Sequence, residues 1–348
     1  MPGGWERRQD VDSTPTPNYL SIFAASTKKE RERNFEDYWA FSRQRDGEIF
    51  EEERDLQSKR GLLARFTENP VRSRRPLPDP DLFYRNYVHL RDDPQRFDRK
   101  TLLLSCIYKF ARHEWVGIEA AWDYLPPMER AKTVTDKISR YHLCEEFCHV
   151  RLFHEMFRTF HLDRVEWVPL GRWMQRVYRV FPYFPEWMMG PPAFVTELMG
   201  ITFYRHVDRL LDSVFSDEPE ARDRVRELLY EIMVDEIAHI GQRRNFIGPI
   251  GIRVARRIVS PLYRLFFNDI PEARHLFDID QMVRDGVAFD YSEVPEALLR
   301  RSWVPSYCRV PSISIQSQPP ADRTRPLGDR RNDAYRRCDD REGARSRA

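Results

Sequence analysis

From about residue 97 to residue 250, apolar side chains recur three and four positions apart in long stripes, the spacing that lines one face of a helix. The stripes predict four long helices, over 97–125, 134–161, 192–215 and 219–247. Leu143, Glu146, His149, Val150, Phe153, Phe157 and Phe160 form one such stripe. Val225, Leu229, Ile232, Met233, Glu236, His239 and Ile240 form another. Pro126 and Pro127 interrupt the first pair of helices, and the stretch SDEPEA interrupts the second. Pro191 and Pro192 are placed to open the third helix at its first turn. Shorter helical patterns cover 81–92, 251–267 and 279–287. The expected class is all-α, with the long helices antiparallel and a long crossover between the second and third.

Outside this region the pattern weakens. Residues 29–66 are heavily charged, with a short stripe of Phe35, Tyr38 and Trp39, which predicts one or two helices packed outside the four. Pro70 to Pro80 reads as a Pro/Arg linker. Residues 1–28 and 311–348 hold too few apolar groups to offset the entropy of ordering and are expected to be disordered. The organisation is therefore a segment 1–28, flanking helices and linker 29–96, a four-helix domain 97–250, packing helices 251–310 and a tail 311–348.

Both apolar stripes carry charge at their centres. Glu146 and His149 lie three apart, as do Glu236 and His239, so each pair aims a carboxylate and an imidazole at one point. A buried ionised carboxylate must be neutralised, ion-paired or metal-bound, and an adjacent imidazole favours metal. With 27 glutamates and nine histidines in 348 residues, chance supplies roughly one such spacing. Glu272 and His275 are that chance match, in a short polar stretch after Pro271 that reads as a helix start.

Two lone carboxylates complete the pattern. Glu197 and Glu236 are equidistant from the SDEPEA break, so an antiparallel fold brings them to one height. On the first helix Glu114 and Glu119 both suit Glu146 by the same mirror argument. The echo of EWVGI at Glu114 in ELMGI at Glu197 favours Glu114. Glu145 and Asp235 immediately precede the central carboxylates and point toward neighbouring helices, to pair with Arg or His. His206, on the far face of its helix from Glu197, reads as an interhelix hydrogen-bonder. Trp115 and Trp122 read first as core, and second as walls of an apolar pocket with the aromatic crossover 161–192.

A lone Glu, a Glu-x-x-His, a lone Glu and a second Glu-x-x-His on four antiparallel helices resembles the ligand set of the ferritin-like di-iron and di-manganese carboxylate superfamily. The resemblance covers about residues 97–250. It implies a ferritin-like four-helix bundle holding two iron ions, alternatively Mn/Fe or Mn/Mn. It carries Glu114 (or Glu119), Glu146, His149, Glu197, Glu236 and His239 onto the metal, with Glu146 and Glu236 as bridges. Arylamine N-oxygenases of the superfamily have a further His one turn before a Glu-x-x-His. Here Ile232 holds that place before Glu236, whereas His142 holds it before Glu146, which makes His142 a candidate auxiliary ligand on the opposite half.

What the resemblance implies is an oxygen-activating oxidoreductase that hydroxylates, desaturates or N-oxidises a small apolar, aromatic or amine substrate. It would draw electrons from an external donor, because no flavin or iron–sulfur motif is present. A ferroxidase-like metal protein and a helical interaction module with a purely structural carboxylate–histidine network are the alternatives.

Composition narrows the rest. A hydrophobic fraction of 41% and an aromatic fraction of 13% suit one globular core, while 32% charge and 25 prolines suit polar extensions. A net charge of +2 gives no case for nucleic acid. No apolar run is long enough for a membrane span, and the N-terminal MPGGWERRQD lacks a secretory segment, so a cytoplasmic protein is expected, with a homodimer allowed. Cys144 and Cys148 flank Glu146, but no paired cysteines elsewhere would complete a thiolate site. The basic, apolar-interleaved stretch 253–265 reads as an amphipathic helix packed on the four, with contact to a membrane surface or an acidic partner as its second reading.

Overall fold

The apolar stripes become helices that end where capping chemistry places their ends. In the computed structural model, which describes residues 18–310, α1 spans Lys28–Asp46 and opens on a capping box between Thr27 and Glu30. A two-residue hairpin, β1 Ile49–Phe50 and β2 Asp55–Leu56, leads into α2, Gln57–Glu68. Next come α3, Pro80–Asn86, and α4, Arg99–Tyr124, capped by the Asp98 carboxylate on the Lys100 and Thr101 amides. Helix α5, Val134–Thr159, has a second capping box from Thr133 and Asp136, and each such cap contributes about 1 kcal/mol. It ends beside His161, whose φ of 60° is left-handed backbone that cannot continue a helix.

The remaining helices are α6, Arg172–Val180; α7, Glu186–Val214; α8, Pro219–Phe246; α9, Pro249–Asn268; α10, Ala273–Leu276; α11, Ile279–Ala288; and α12, Glu296–Leu299. The protein is thus all-α apart from one small hairpin among the described residues. Helices α4 and α5 pack together, α5 packs on α8, α8 on α7, and α7 back on α4. The α7–α8 pair is antiparallel: Asp212, Asp208 and Glu197 meet Arg222, Arg226 and Arg243 in reverse order. The α4–α5 pair runs the same way, with Tyr108 against Phe157 and Trp122 against Phe147.

The inner turns of α4 and α5 are buried on nearly every side, because other helices cover what would have been their outer faces. Helix α1 lies on α5 and α8, α10 on α4, and α9 on α7. That explains why TLLLSCIYKF reads as a continuous apolar run rather than a stripe. The Glu272/His275 spacing does fall at a helix start, where buried Glu272 pairs with Lys109.

Three expectations need correction. Helix α7 begins at Glu186, so Pro191 and Pro192 lie inside it and not in its first turn. Their missing N–H groups cannot make the usual helical bonds to the carbonyls of Trp187 and Met188, which is tolerable on an opening turn where Trp187 is exposed. The crossover contains helix α6, which its mixed Arg and aromatic sequence concealed. Residues 18–27, expected to be disordered, are clasped to the far end of the described chain. Tyr19 bridges to Arg309 and Ser21 to Asp290, Ile22 is fully buried, and the Arg244 guanidinium donates to the carbonyls of Ile22 and Ala24. The expected disorder of residues 1–17 and 311–348 concerns segments outside the described residues.

Candidate metal centre

Helices α4, α5, α7 and α8 bring Glu114, Glu146, His149, Glu197, Glu236 and His239 together, with His142 among them. Two groups of facing donor atoms form: His142, Glu146, Glu197 and His239, and Glu146, His149 and Glu236. Glu146 belongs to both, one oxygen to each. Its Oε1 lies 3.0 Å from His239 Nδ1 and 3.2 Å from His142 Nε2, while its Oε2 lies 3.3 Å from His149 Nδ1. Glu236 Oε1 is 3.3 Å from His149 Nδ1, and Glu197 Oε1 is 3.3 Å from His142 Nε2. Gly200, one turn after Glu197, gives Glu236 its space: a Cβ there would stand 3.2 Å from Glu236 Oε2.

Of the two candidates on α4, Glu114 turns toward this cluster and accepts a hydrogen bond from the buried Tyr204 hydroxyl. Its other oxygen is buried without a hydrogen-bond partner among the described residues. Glu119 lies outside the cluster, half-exposed and paired with Arg54 at 2.7 Å, because five residues along a helix turn a side chain well away from Glu114.

Behind the histidines lies a second layer of charge. His149 Nε2 meets Asp235 at 3.0 Å and His239 Nε2 meets Glu145 at 2.8 Å, so each imidazole is oriented by the carboxylate adjacent to the other helix's central glutamate. Lys59 of α2 holds both oxygens of Asp235, at 2.7 and 2.6 Å. Arg45 of α1 joins Asp235 at 3.0 Å and also pairs with Glu145. These two cations were missed by the sequence reading. The only signal for them was the presence of two more carboxylates, Glu145 and Asp235, on stripes otherwise buried.

The electrostatics test whether the donors suit a metal. Seven carboxylates converge here: Asp46, Glu114, Glu145, Glu146, Glu197, Asp235 and Glu236. Arg45, Lys59 and Arg243 oppose them, leaving four positive charges missing. Burial alone would protonate Asp235, but Lys59 and Arg45 outweigh it and hold its carboxyl well below the usual range. Ionised Asp235 and Glu145 accept N–H from His149 and His239 at Nε2, which leaves both Nδ1 lone pairs facing carboxylate oxygens. No hydrogen bond reaches Nδ1 of His142, His149 or His239 among the described residues. Lone pairs facing lone pairs at 3.0–3.3 Å require a cation or a proton between them. The donor set can therefore hold metal.

Protons are the alternative occupant. Burial disfavours the charged form of His149 and His239, yet the surrounding carboxylates raise both well above the usual imidazole range. Burial, together with Glu146 and Glu236, pushes Glu114 well up. Burial and Glu146 bring Glu236 to about 7.

A cleft of about 210 Å³ reaches the cluster. Glu114, His142, Glu146, Glu197, Glu236 and Arg243 form its polar end, and Phe110, Ile118, Leu143, Met199 and Phe266 line its apolar part. The crossover contributes Tyr178, Phe181 and Pro182. Trp115 and Trp122 do not line it; they pack against Trp167 and Phe147. Cys144 and Cys148 are buried thiols outside both donor groups, and burial pushes Cys148 up to about 12. His206 bonds Asp285 of α11 at 2.9 Å, away from the cluster.

No protein-family model matches the chain, and no curated protein or solved structure is similar enough to count as a relative. The functional reading therefore rests on the geometry.

Proposed function

We propose that this chain is a ferritin-like di-metal carboxylate oxidoreductase that activates dioxygen for the oxidation of a small apolar, aromatic or amine substrate. The supporting observation is the split of Glu146, whose two oxygens face two different sets of donors. In this reading Glu146 would serve both metal positions, whereas Glu236, expected as a second bridge, falls in only one of the two donor groups. Glu197, His239 and His142 serve one position, and His149, Glu236 and Glu114 the other. Carboxylate-rich sites with few imidazoles suit iron or manganese. A bound iron pair would supply two-electron reduction of dioxygen, with electrons from an external donor.

The protein's own contribution is positional. Asp235 and Glu145 fix the imidazole tautomers so that Nδ1 faces inward. The apolar part of the cleft excludes water and selects a small uncharged body, while Arg243 at the polar end can hold an acceptor group. This apolar approach favours an organic substrate over a ferroxidase, whose entry route would be lined with carboxylates.

The charge deficit supports a second reading, because protons on His149, His239, Glu114 and Asp46, all of them raised, would balance the cluster as a purely structural network. Metal content of protein expressed with iron and manganese separates the two. About two metal ions per chain, as the ligand set requires, with an optical transient when anaerobically reduced protein meets oxygen, would support the enzyme. A folded protein that takes up no metal would overturn it.

A further inference from the structure

Eleven large apolar side chains are exposed among the described residues, and nine of them belong to two segments, the crossover helix with the turn after it and α9. On the crossover they are Trp173, Val177, Val180, Tyr183, Phe184 and Trp187, with Trp173 and Trp187 exposed to 74% and 78%. On α9 they are Ile250, Val254 and Leu265. Both helices are built alike. Trp173, Val177 and Val180 form an outward stripe on α6, and Arg172, Arg176 and Arg179 run beside it. Ile250, Val254, Pro261 and Leu265 form an outward stripe on α9, with Arg253, Arg257 and Arg264 alongside.

The two segments meet at His113. His113 of α4 bonds Tyr178 of α6 at 3.1 Å and Asp269, which caps α9, at 2.8 Å. Toward the other end a Cβ on Gly251 would lie 3.6 Å from Pro191 in α7. Tyr178, Phe181 and Phe266 from these same segments also wall the cleft.

Charge decides what covers this face. Residues 171–189 and α9 together hold seven arginines and one carboxylate, Glu186, in a chain whose net charge is only +2. Arg264 pairs with Asp280, whereas Arg172, Arg176, Arg179, Arg253 and Arg257 make no ion pair among the described residues. A second copy of the same face would set arginine against arginine. An anionic bilayer surface accepts both features: tryptophan and tyrosine rings settle at the headgroup level, and arginines reach the lipid phosphates.

We propose that α6, the turn after it and α9 form a docking face for an anionic lipid surface, onto which the protein binds peripherally and beside which the cleft draws its apolar ligand. No described helix is long and apolar enough to cross a membrane, so the contact is confined to one leaflet. The face is independent of the metal reading, and vesicle binding should be equal in metal-free and metal-loaded protein.

The test is sedimentation of the full chain with vesicles of equimolar phosphatidylglycerol and phosphatidylcholine, and with phosphatidylcholine alone. Binding to the anionic vesicles should weaken on the order of 100-fold in R172Q/R176Q/R179Q, at about fivefold per charge. Brominated phosphatidylglycerol should quench the tryptophan emission of the unaltered protein, a readout that needs no variant, and W173A/W187A should lose that quenching with helical content unchanged. Absence of binding and quenching in the unaltered protein would overturn the proposal, as would equal binding by the arginine variant. It would also be overturned if W173A/W187A split a dimer in sedimentation, since a second copy would then own the face.

Discussion

The two layers of charge at the centre of the molecule are built on opposite terms. Behind the histidines, Asp235 and Glu145 have cations within reach, supplied by Lys59 and Arg45 from helices outside the four. In front, Glu114, Glu146, Glu197 and Glu236 face the cleft with Arg243 as their fixed cation, and the Nδ1 atoms of His149 and His239 face them without hydrogen bonds among the described residues. A layer supplied with cations by its neighbours holds a fold, and one short of them demands a ligand or protons. The same residue types, one position apart on the same helices, thus serve stability and chemistry separately.

The comparison breaks most sharply by substitution in each layer. Glu146→Ala should abolish loading of at least one metal position while leaving the protein folded, because it removes charge from a layer already short of cations; metal analysis and circular dichroism read both. Lys59→Ala should do the reverse, leaving Asp235 buried with one partner fewer and destabilising the protein by about 3–5 kcal/mol in thermal or denaturant unfolding. Equal destabilisation by both would erase the distinction.

A smaller effect separates the layers by pH. In metal-free protein the raised histidines contribute stability that is full below their unfolded value of about 6.5 and lost as pH rises through their folded values. Asp235, depressed in the fold, contributes stability that is present above its unfolded value of about 3.9 and lost as pH falls through its folded value. Metal-free protein should therefore melt at its highest temperature between those limits, and metal should remove the alkaline decline. Because metal displaces the histidine protons, apparent affinity in chelator competition should rise with pH, about tenfold per unit for each proton released.

The smallest effect probes the space in front. Gly200→Ala would place a Cβ about 3.2 Å from Glu236 Oε2, so the carboxylate must yield by a few tenths of an ångström. Metal affinity should fall severalfold with the melting temperature little changed. An unaltered affinity would show that Glu236 does not depend on this clearance.

The front layer was largely legible in the sequence. Glu146, His149, Glu236 and His239 announce themselves through a three-residue spacing inside apolar stripes, and the glycine shared by EWVGI and ELMGI marks Glu114 and Glu197. The back layer was not. Lys59 and Asp235 are 176 residues apart, and nothing periodic in α2 indicates that its lysine is buried. Helix α6 escaped because its pattern serves an exposed face instead of a core, and the prolines of α7 misled because a wet opening turn tolerates them.

The clasp between the beginning and the end of the described chain has a consequence for synthesis. The backbone amides of Leu20 and Ile22 bond the carbonyls of Cys308 and Phe289, and Ser21 and Cys308 are 287 residues apart. At about 5–20 residues per second, a ribosome needs roughly 15–60 s to deliver the second half of that pairing after the first has emerged. Throughout that interval the amide of Leu20 is an open edge, available to any neighbouring nascent chain, so the early life of this protein favours fast translation at low local concentration or a chaperone that shields residues 19–22 until Cys308 arrives.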